Sequence, residues 1–183
     1  MAKLFEEITP ALQAWLMQQR MFFVASAPLS ATGHVNCSPK GLDSFRVLDR
    51  RTVAYLDLTG SGIETVSHVR ENSRIVFMFC AFEGPPKIVR LHARGEVITP
   101  DHQHWAELRA LFPDVPGARA IVRASVHRIG DSCGYAVPFY NFVSERDALV
   151  RVTNNKGPQG MRKLREETNM RSIDGLTGLE RNP

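Results

Sequence analysis

The run Leu58-Thr59-Gly60-Ser61-Gly62-Ile63-Glu64-Thr65 joins a β-type segment to a helical one and sets two glycines among three hydroxyl residues. That composition suits two kinds of chemistry. In the first, Ser61-Gly62-Ile63-Glu64 is a capping box, with the Ser61 side chain on the Glu64 amide and the Glu64 carboxylate reaching back. In the second, the small residues let an anion approach the backbone. The amides of residues 62 to 65 then bind it, because a helix start carries unpaired N–H groups and the positive end of the helix dipole. The two readings coexist, since Ser61 can cap while the amides face a ligand. No Gly-Lys-Ser or Gly-Lys-Thr follows and no GxGxxG is present, so this is neither a P-loop nor a dinucleotide fingerprint. A phosphate there needs cations nearby, and Lys40, Lys87 and Arg90 are the candidates. The ordinary fate of such residues is a solvated surface charge.

The remaining reactive side chains point elsewhere or nowhere. His102 and His104 lie two apart on a predicted helix, where they diverge and cannot chelate together. His68 falls one turn into the helix after the glycine loop, and His92 shares a strand face with Arg90 and Arg94. Ser132 lacks a GxSxG elbow and a base. Cys133 has no neighbouring histidine or second cysteine to make it a redox thiol. The chain has three cysteines, Cys37, Cys80 and Cys133, far apart. Their odd number and wide spacing argue against a disulfide framework and CxxC zinc chemistry.

The elements that must position these groups follow from periodicity. Thr9-Pro10 is a cap with proline at the first helical position, and Leu12, Trp15 and Leu16 form the stripe of a first helix. Strands are predicted over Phe22–Ala27, His34–Ser38, Phe45–Leu48 and Thr52–Leu58, with Pro39-Lys40-Gly41 as a break. A helix from Ser61 ends at Asn72. Arg74–Phe82 reads as a strand buried on both faces, Glu83-Gly84-Pro85-Pro86 as a hairpin turn, and Lys87–Ile98 as a long alternating strand. Thr99-Pro100 starts a helix to about Leu111, Ala118–Ile129 is a strand, and Gly157–Asn169 is helical. The tail from about residue 170 to Pro183 reads as an extended or irregular arm. Many strands with short turns and few helices predict one mainly β domain over 1–183, an antiparallel barrel with peripheral helices.

Bulk properties narrow the partners. The chain has 183 residues with 43% hydrophobic and 23% charged residues, enough for one real core. A net charge of +4 is too mild for the clustered basicity of nucleic-acid binders. Lys156–Arg171 also contains Glu166 and Glu167 and reads as a solvated amphipathic helix. The longest apolar run, Ile75–Phe82, is far short of the roughly 20 residues a membrane helix needs. Glu6 and Glu7 precede any apolar run, so the expectation is a cytoplasmic protein that neither binds nucleic acid nor enters a membrane.

Taken in order, several segments resemble one family. They are Ser38-Pro39-Lys40-Gly41, Phe45-Arg46-Val47-Leu48-Asp49, Tyr55-Leu56-Asp57, Gly60-Ser61-Gly62-Ile63-Glu64-Thr65 and Phe82-Glu83-Gly84-Pro85-Pro86-Lys87-Ile88-Val89-Arg90-Leu91. Together they resemble the FMN-binding proteins related to pyridoxamine 5′-phosphate oxidase over roughly Phe22 to Val97. Ser132-Cys133-Gly134-Tyr135, Val137-Pro138 and Ser172-Ile173-Asp174-Gly175-Leu176 resemble one branch of it. The resemblance implies an antiparallel split β-barrel and a homodimer with FMN in a cleft between subunits. It places the strand with Asn36, Ser38 and Lys40 along the flavin ring, and Asp57 and Leu58 near the ring or ribityl chain. Ser61, Gly62, Ile63, Glu64 and Thr65 take the phosphate, and Lys87 and Arg90 close the site. True oxidases of the family carry an Arg-Lys pair where this chain has Gly62-Ile63. They also end in an arginine-rich segment where this one ends SIDGLTGLERNP. The expectation is therefore an FMN flavoprotein, an oxidoreductase on a small molecule or a carrier, sensor or store of flavin, more than a pyridoxamine phosphate oxidase. No residue stands out as a general acid or base.

Overall fold

The computed structural model describes residues 3–179. Its elements in chain order are β1 (Leu4–Phe5), α1 (Pro10–Gln18), β2 (Phe22–Ser26), β3 (Asn36–Lys40), β4 (Phe45–Val47), β5 (Thr52–Leu58), α2 (Glu64–Asn72), β6 (Arg74–Cys80), β7 (Ile88–Ile98), α3 (Trp105–Arg109), β8 (Ala118–Ser132) and α4 (Ala148–Thr168). The strands form one sheet in the order β3-β2-β6-β7-β8-β5-β4, with β1 added on β8. Every pairing is antiparallel. The sheet curls so that its first strand approaches the far side: Lys40 on β3 reaches Asp57 on β5. This is the split barrel that the strand pattern predicts.

The core follows from the alternation. Along β7, Val89, Leu91 and Ala93 are buried while Arg90 and His92 are half-exposed. Phe22, Phe45, Tyr55, Phe77 and Phe79 interlock inside the barrel with ring centroids 4.9–6.5 Å apart. On β6 only one face is fully buried, that of Ile75, Phe77 and Phe79. Val76 and Met78 on the other face are half-buried, so the strand is not enclosed on both sides as its apolar run predicts. A side chain at Gly95 would stand 3.1–3.3 Å from Val69, Val122 and Ile75, so glycine there lets α2 lie close on the sheet.

The helices depart from the sequence reading in instructive places. Thr9 does cap α1, accepting from the Leu12 amide at 3.2 Å, with Pro10 in the first turn. Ser61 does not cap α2. The helix starts at Glu64, Ile63 takes the cap position, and no side chain makes a capping hydrogen bond. The reason is burial: Ile63 is 1% exposed, packed with Val66 and Ala120. Burying an isoleucine is worth about 1.5–3 kcal/mol, against about 1 kcal/mol for a cap. The Thr99-Pro100 signal opens only a turn, stitched by His102 N–H to Thr99 and Trp105 N–H to His102, and α3 is five residues long. α4 starts upstream of the predicted Gly157, and its two helical pieces meet at Gly157, which has φ 63° and ψ 179°. β3 runs through Pro39 and Lys40 rather than breaking there. The tail is irregular to residue 179, with one bridge between Arg171 and Thr177; its last four residues lie outside the described ones. Among the described residues no helix is long and apolar enough to cross a membrane.

Candidate functional site

The loop between β5 and α2 is tied down from behind. The ladder shifts register between Asp57 and Leu58. Thr59 then donates to the Gly117 carbonyl through both its amide and its hydroxyl, each at 2.8 Å. The Gly60 carbonyl accepts from Asn169 Nδ2 at 3.0 Å and the Gly62 carbonyl from Arg119 Nη1 at 2.7 Å. In a trans peptide the C=O and the next N–H point opposite ways. Turning those two carbonyls inward therefore turns the amides of Ser61 and Ile63 outward. The amides of Glu64, Thr65 and Val66 lie in the first turn of α2, where no intrahelical acceptor exists. A side chain at Gly60 would meet nothing within 4 Å, so the loop is open there, whereas one at Gly62 would collide with the Glu64 carboxylate, which lies over that part of the loop.

Behind this loop sits a buried charge cluster. Arg119, 6% exposed, places Nε 2.7 Å from Asp57 Oδ2 and Nη1 2.8 Å from Asn169 Oδ1. Lys40 Nζ lies 3.3 Å and Tyr55 Oη 3.4 Å from Asp57 Oδ1. Burial alone raises the Asp57 pKa, but the charges and hydrogen bonds of Arg119 and Lys40 outweigh it and hold the carboxyl below its usual range. Tyr55 is pushed well up, first by burial and then by the Asp57 charge. Arg165 is half-buried and donates from Nε to Thr59 Oγ1 at 3.1 Å. Burial, and then the Arg119 charge, lower its pKa. Among the described residues Arg165 makes no ion pair, so its positive charge beside the loop has no carboxylate partner there.

The outer wall is β3. Asn36 Nδ2 donates to Thr65 Oγ1 at 2.9 Å, and Ser38 Oγ donates to Asn36 Oδ1 at 3.0 Å. Asn36, Ser38 and Thr65 thus form one hydrogen-bonded strip. Lys40 and Asp57 form the ion pair that closes the curl, and Ser61 and Gly62 belong to the open loop. Two predicted residues contribute no side chain here: Leu58 packs against the cluster around Leu56 and Ile121, and Ile63 is in the core. Glu64 turns its carboxylate back over Gly62 and accepts from the Ile173 amide at Oε1 at 3.4 Å, with no hydrogen bond to Ser61 among the described residues. Lys87 and Arg90 are placed away from the loop. Lys87 Nζ lies 4.7 Å from the Trp15 ring centroid, and Arg90 donates to Ser132 Oγ at 3.0 Å. Among the described residues no hydrogen bond or ion pair joins either to residues 59–65.

The C-terminal arm crosses the start of α2. Asp174 takes the His34 amide at 2.8 Å and pairs with His34 Nδ1 at 2.7 Å, which holds its carboxyl low. Leu179 packs on the cluster of Ile63 and Val66. His68 is fully buried with Nδ1 3.0 Å from Ser26 Oγ, so it is neither a surface histidine nor a loop ligand. His102 and His104 lie in the turn before α3, and among the described residues no group of three histidines, cysteines or carboxylates is placed to hold a metal.

Sequence reasoning missed Arg119, Arg165 and Asn169. Arg119 had a signal: a cation within the apolar β8 run, matched by Asp57 within the apolar β5 run, marks a buried pair. Arg165 and Asn169 had none, because their face of α4 reads as solvated until the helix is docked.

Residues 8–133 match the family described as pyridoxamine 5′-phosphate oxidase. A protein of Aspergillus flavus named as pyridoxamine 5′-phosphate oxidase family protein ustO is 36% identical over 194 residues, covering 96% of this chain and 77% of that protein. Among solved structures, the HupZ protein of Group A Streptococcus superposes with a TM-score of 0.52 at 23% identity, over 67% of this chain and 91% of that one. An FAD-binding protein of Mesorhizobium loti superposes with a TM-score of 0.50 at 15% identity, over 72% and 96% of the two chains. At those identities the structural likeness speaks for the fold.

Proposed function

The chain belongs to the pyridoxamine 5′-phosphate oxidase family, and from that premise we propose that it is a flavoprotein that binds FMN with its phosphate on the Gly60–Thr65 loop and acts as an FMN-dependent oxidoreductase on a small molecule. The observation that carries this reading is the loop itself, with carbonyls bound inward by Arg119 and Asn169, amides turned outward, and Arg165 uncompensated at its side. The residues fit the group. A phosphate needs amide donors and a cation, and the loop amides with Arg165 beside them supply both once the Glu64 carboxylate over Gly62 gives way. Arg165 supplies the charge that Gly62-Ile63 omits from the oxidase pattern, while Arg119, paired with Asp57, holds the loop from behind. That the fold neighbour from Mesorhizobium loti is an FAD-binding protein supports a flavin.

In this reading the Ser61, Ile63 and Thr65 amides hold the phosphate, and Asn36, Ser38 and Lys40 line the rest of the cofactor. The flavin, when bound, supplies hydride or electron transfer, and the protein supplies position and electrostatics. Lys40, held by Asp57, would lend positive charge to a flavin bound along β3 and so favour its reduced, anionic form. Asp57 fixes Lys40 and Arg119 and stays ionised. We further propose a homodimer with FMN at the subunit interface, a reading supported by the outer edge of β3, which no strand among the described residues covers. Three free cysteines suit a cytoplasmic, reducing compartment.

The experiment is the visible spectrum of the purified protein and of its supernatant after heat denaturation. The expected result is a flavin spectrum, with a released mass equal to FMN. A colourless protein that takes up neither FMN nor FAD refutes the proposal. A flavin spectrum without turnover by any reduced nicotinamide or deazaflavin donor replaces the enzyme by a carrier or sensor.

A further inference from the structure

The glycine loop already carries an anion from its own chain. A side chain at Gly62 would collide with Glu64 Oε2 and stand 3.1 Å from Glu64 Cδ and 3.3 Å from Oε1, so the carboxylate lies directly over the loop. That is the positive end of α2, where the first-turn amides lack intrahelical acceptors and negative charge is favoured. Glu64 is half-exposed and opens the helix. A glutamate so placed has several free torsions and does not stay over the loop unaided, because ordering it costs side-chain entropy. Another element must hold it.

The holder is the C-terminal arm. The Ile173 amide donates to Glu64 Oε1 at 3.4 Å, while the Ile173 side chain is 68% exposed, so residue 173 meets α2 through its backbone rather than by packing. A tight turn fixes that amide: Ser172 N–H bonds the Leu176 carbonyl and Gly175 N–H the Ser172 carbonyl, each at 2.9 Å, and the Leu176 amide bonds Ser172 Oγ at 3.1 Å. The turn is anchored next door, where Asp174 takes the His34 amide and pairs with His34 Nδ1. A side chain at Gly33 would stand 3.1 Å from Asp174 Oδ2, so glycine there leaves room for the carboxylate. At its far end the arm is tied back to the end of α4 by Gly178 N–H to Met170 at 2.9 Å and Leu179 N–H to Asn169 at 2.8 Å.

We infer that Glu64 is a built-in competitor for the loop's anion site and that the arm, latched by Asp174 on His34, holds this carboxylate in place. The inference rests on the reading that a phosphate uses the loop. Two anions over one loop repel, so the phosphate enters as the Glu64 carboxylate swings away. The swing takes the acceptor from the Ile173 amide and loosens the arm. Such coupling is reciprocal: what frees the arm from Glu64 strengthens phosphate binding, and bound phosphate frees the arm by the same factor. A flavin without phosphate leaves the latch as it is.

The test is a double-mutant cycle on the full chain, with FMN and riboflavin as probes followed by fluorescence quenching. Glu64→Gln keeps the side chain's size and removes its charge. It should tighten FMN about tenfold, the size of one close like-charge contact, and leave riboflavin unchanged. Asp174→Asn unlatches the arm and should tighten FMN in the wild-type background but add little in the Glu64→Gln background, because it acts through Glu64. Tryptic cleavage after Arg171 should speed up with FMN and not with riboflavin. Unchanged or weaker FMN binding in Glu64→Gln at native circular dichroism, equal gains with riboflavin, or gains from the two substitutions that simply multiply overturn the inference and leave the flavin reading standing. Failure of every chain to bind either probe sinks the flavin reading and takes the inference with it.

Discussion

Arg165→Gln is expected to separate ligand binding from folding. In the free protein this arginine makes one hydrogen bond among the described residues, Nε to Thr59 Oγ1 at 3.1 Å, and its charge is disfavoured by burial and by the like charge of Arg119. Losing one neutral-acceptor hydrogen bond costs about 1 kcal/mol, and relief of the like-charge contact offsets part of it. The melting temperature of the free protein should therefore move by no more than a few degrees. Toward a phosphate the same side chain is a charge-assisted donor worth about 1.5–3 kcal/mol, which is roughly ten- to a hundredfold in affinity. The assay is quenching of FMN fluorescence on titration with the apoprotein. Arg165→Gln should raise the dissociation constant by that factor, Arg165→Lys should restore part of it, and added salt should narrow the gap between wild type and variant. Unchanged FMN affinity, or a loss that only accompanies a large drop in melting temperature, refutes the assignment of Arg165 to the phosphate.

Three further outcomes follow from the same geometry. Asp57→Asn leaves Arg119 buried without its carboxylate, which costs about 3–5 kcal/mol. The folded pKa of Asp57 is depressed, so its stabilisation is complete above the unfolded value of about 3.9 and is lost as pH falls through the lower folded value; thermal melts should show the wild-type advantage over Asp57→Asn shrinking below about pH 4. Ile63→Ala empties part of the cluster with Val66 and Ala120 and should cost about 2–5 kcal/mol in urea unfolding. A side chain at Gly178 would collide with the Asn169 carbonyl and lie 2.8 Å from Ile63 Cγ1; Gly178→Ala should free the arm, seen as faster tryptic cleavage after Arg171.

Much of the barrel was legible because its strands alternate cleanly. The two-residue period of a strand leaves Val89, Leu91 and Ala93 on one face whatever lies around them. Thr9-Pro10 was legible because cap and proline act within one turn. The same local logic failed at Ser61, where packing of Ile63 against β8 outweighed a capping box, and at Thr99-Pro100, where the following residues close successive three-residue turns. The glycine loop was readable from its composition, but the cations that bond it were not. Lys87 and Arg90 are near it in sequence order yet lie elsewhere, at Trp15 and Ser132. Arg119 and Arg165 arrive from β8 and α4, 57 to 106 residues away from the loop atoms they bond. Only the curl of the sheet and the docking of α4 bring them there.

The central claim is that the outward amides of the glycine loop hold a phosphate, and backbone amide chemical shifts during parallel titrations with FMN and riboflavin test it most directly. The Ser61, Ile63 and Thr65 amides should move with FMN and stay largely in place with riboflavin, which lacks the phosphate. Equal shifts with both ligands, or none at these three amides while FMN binds, would contradict it.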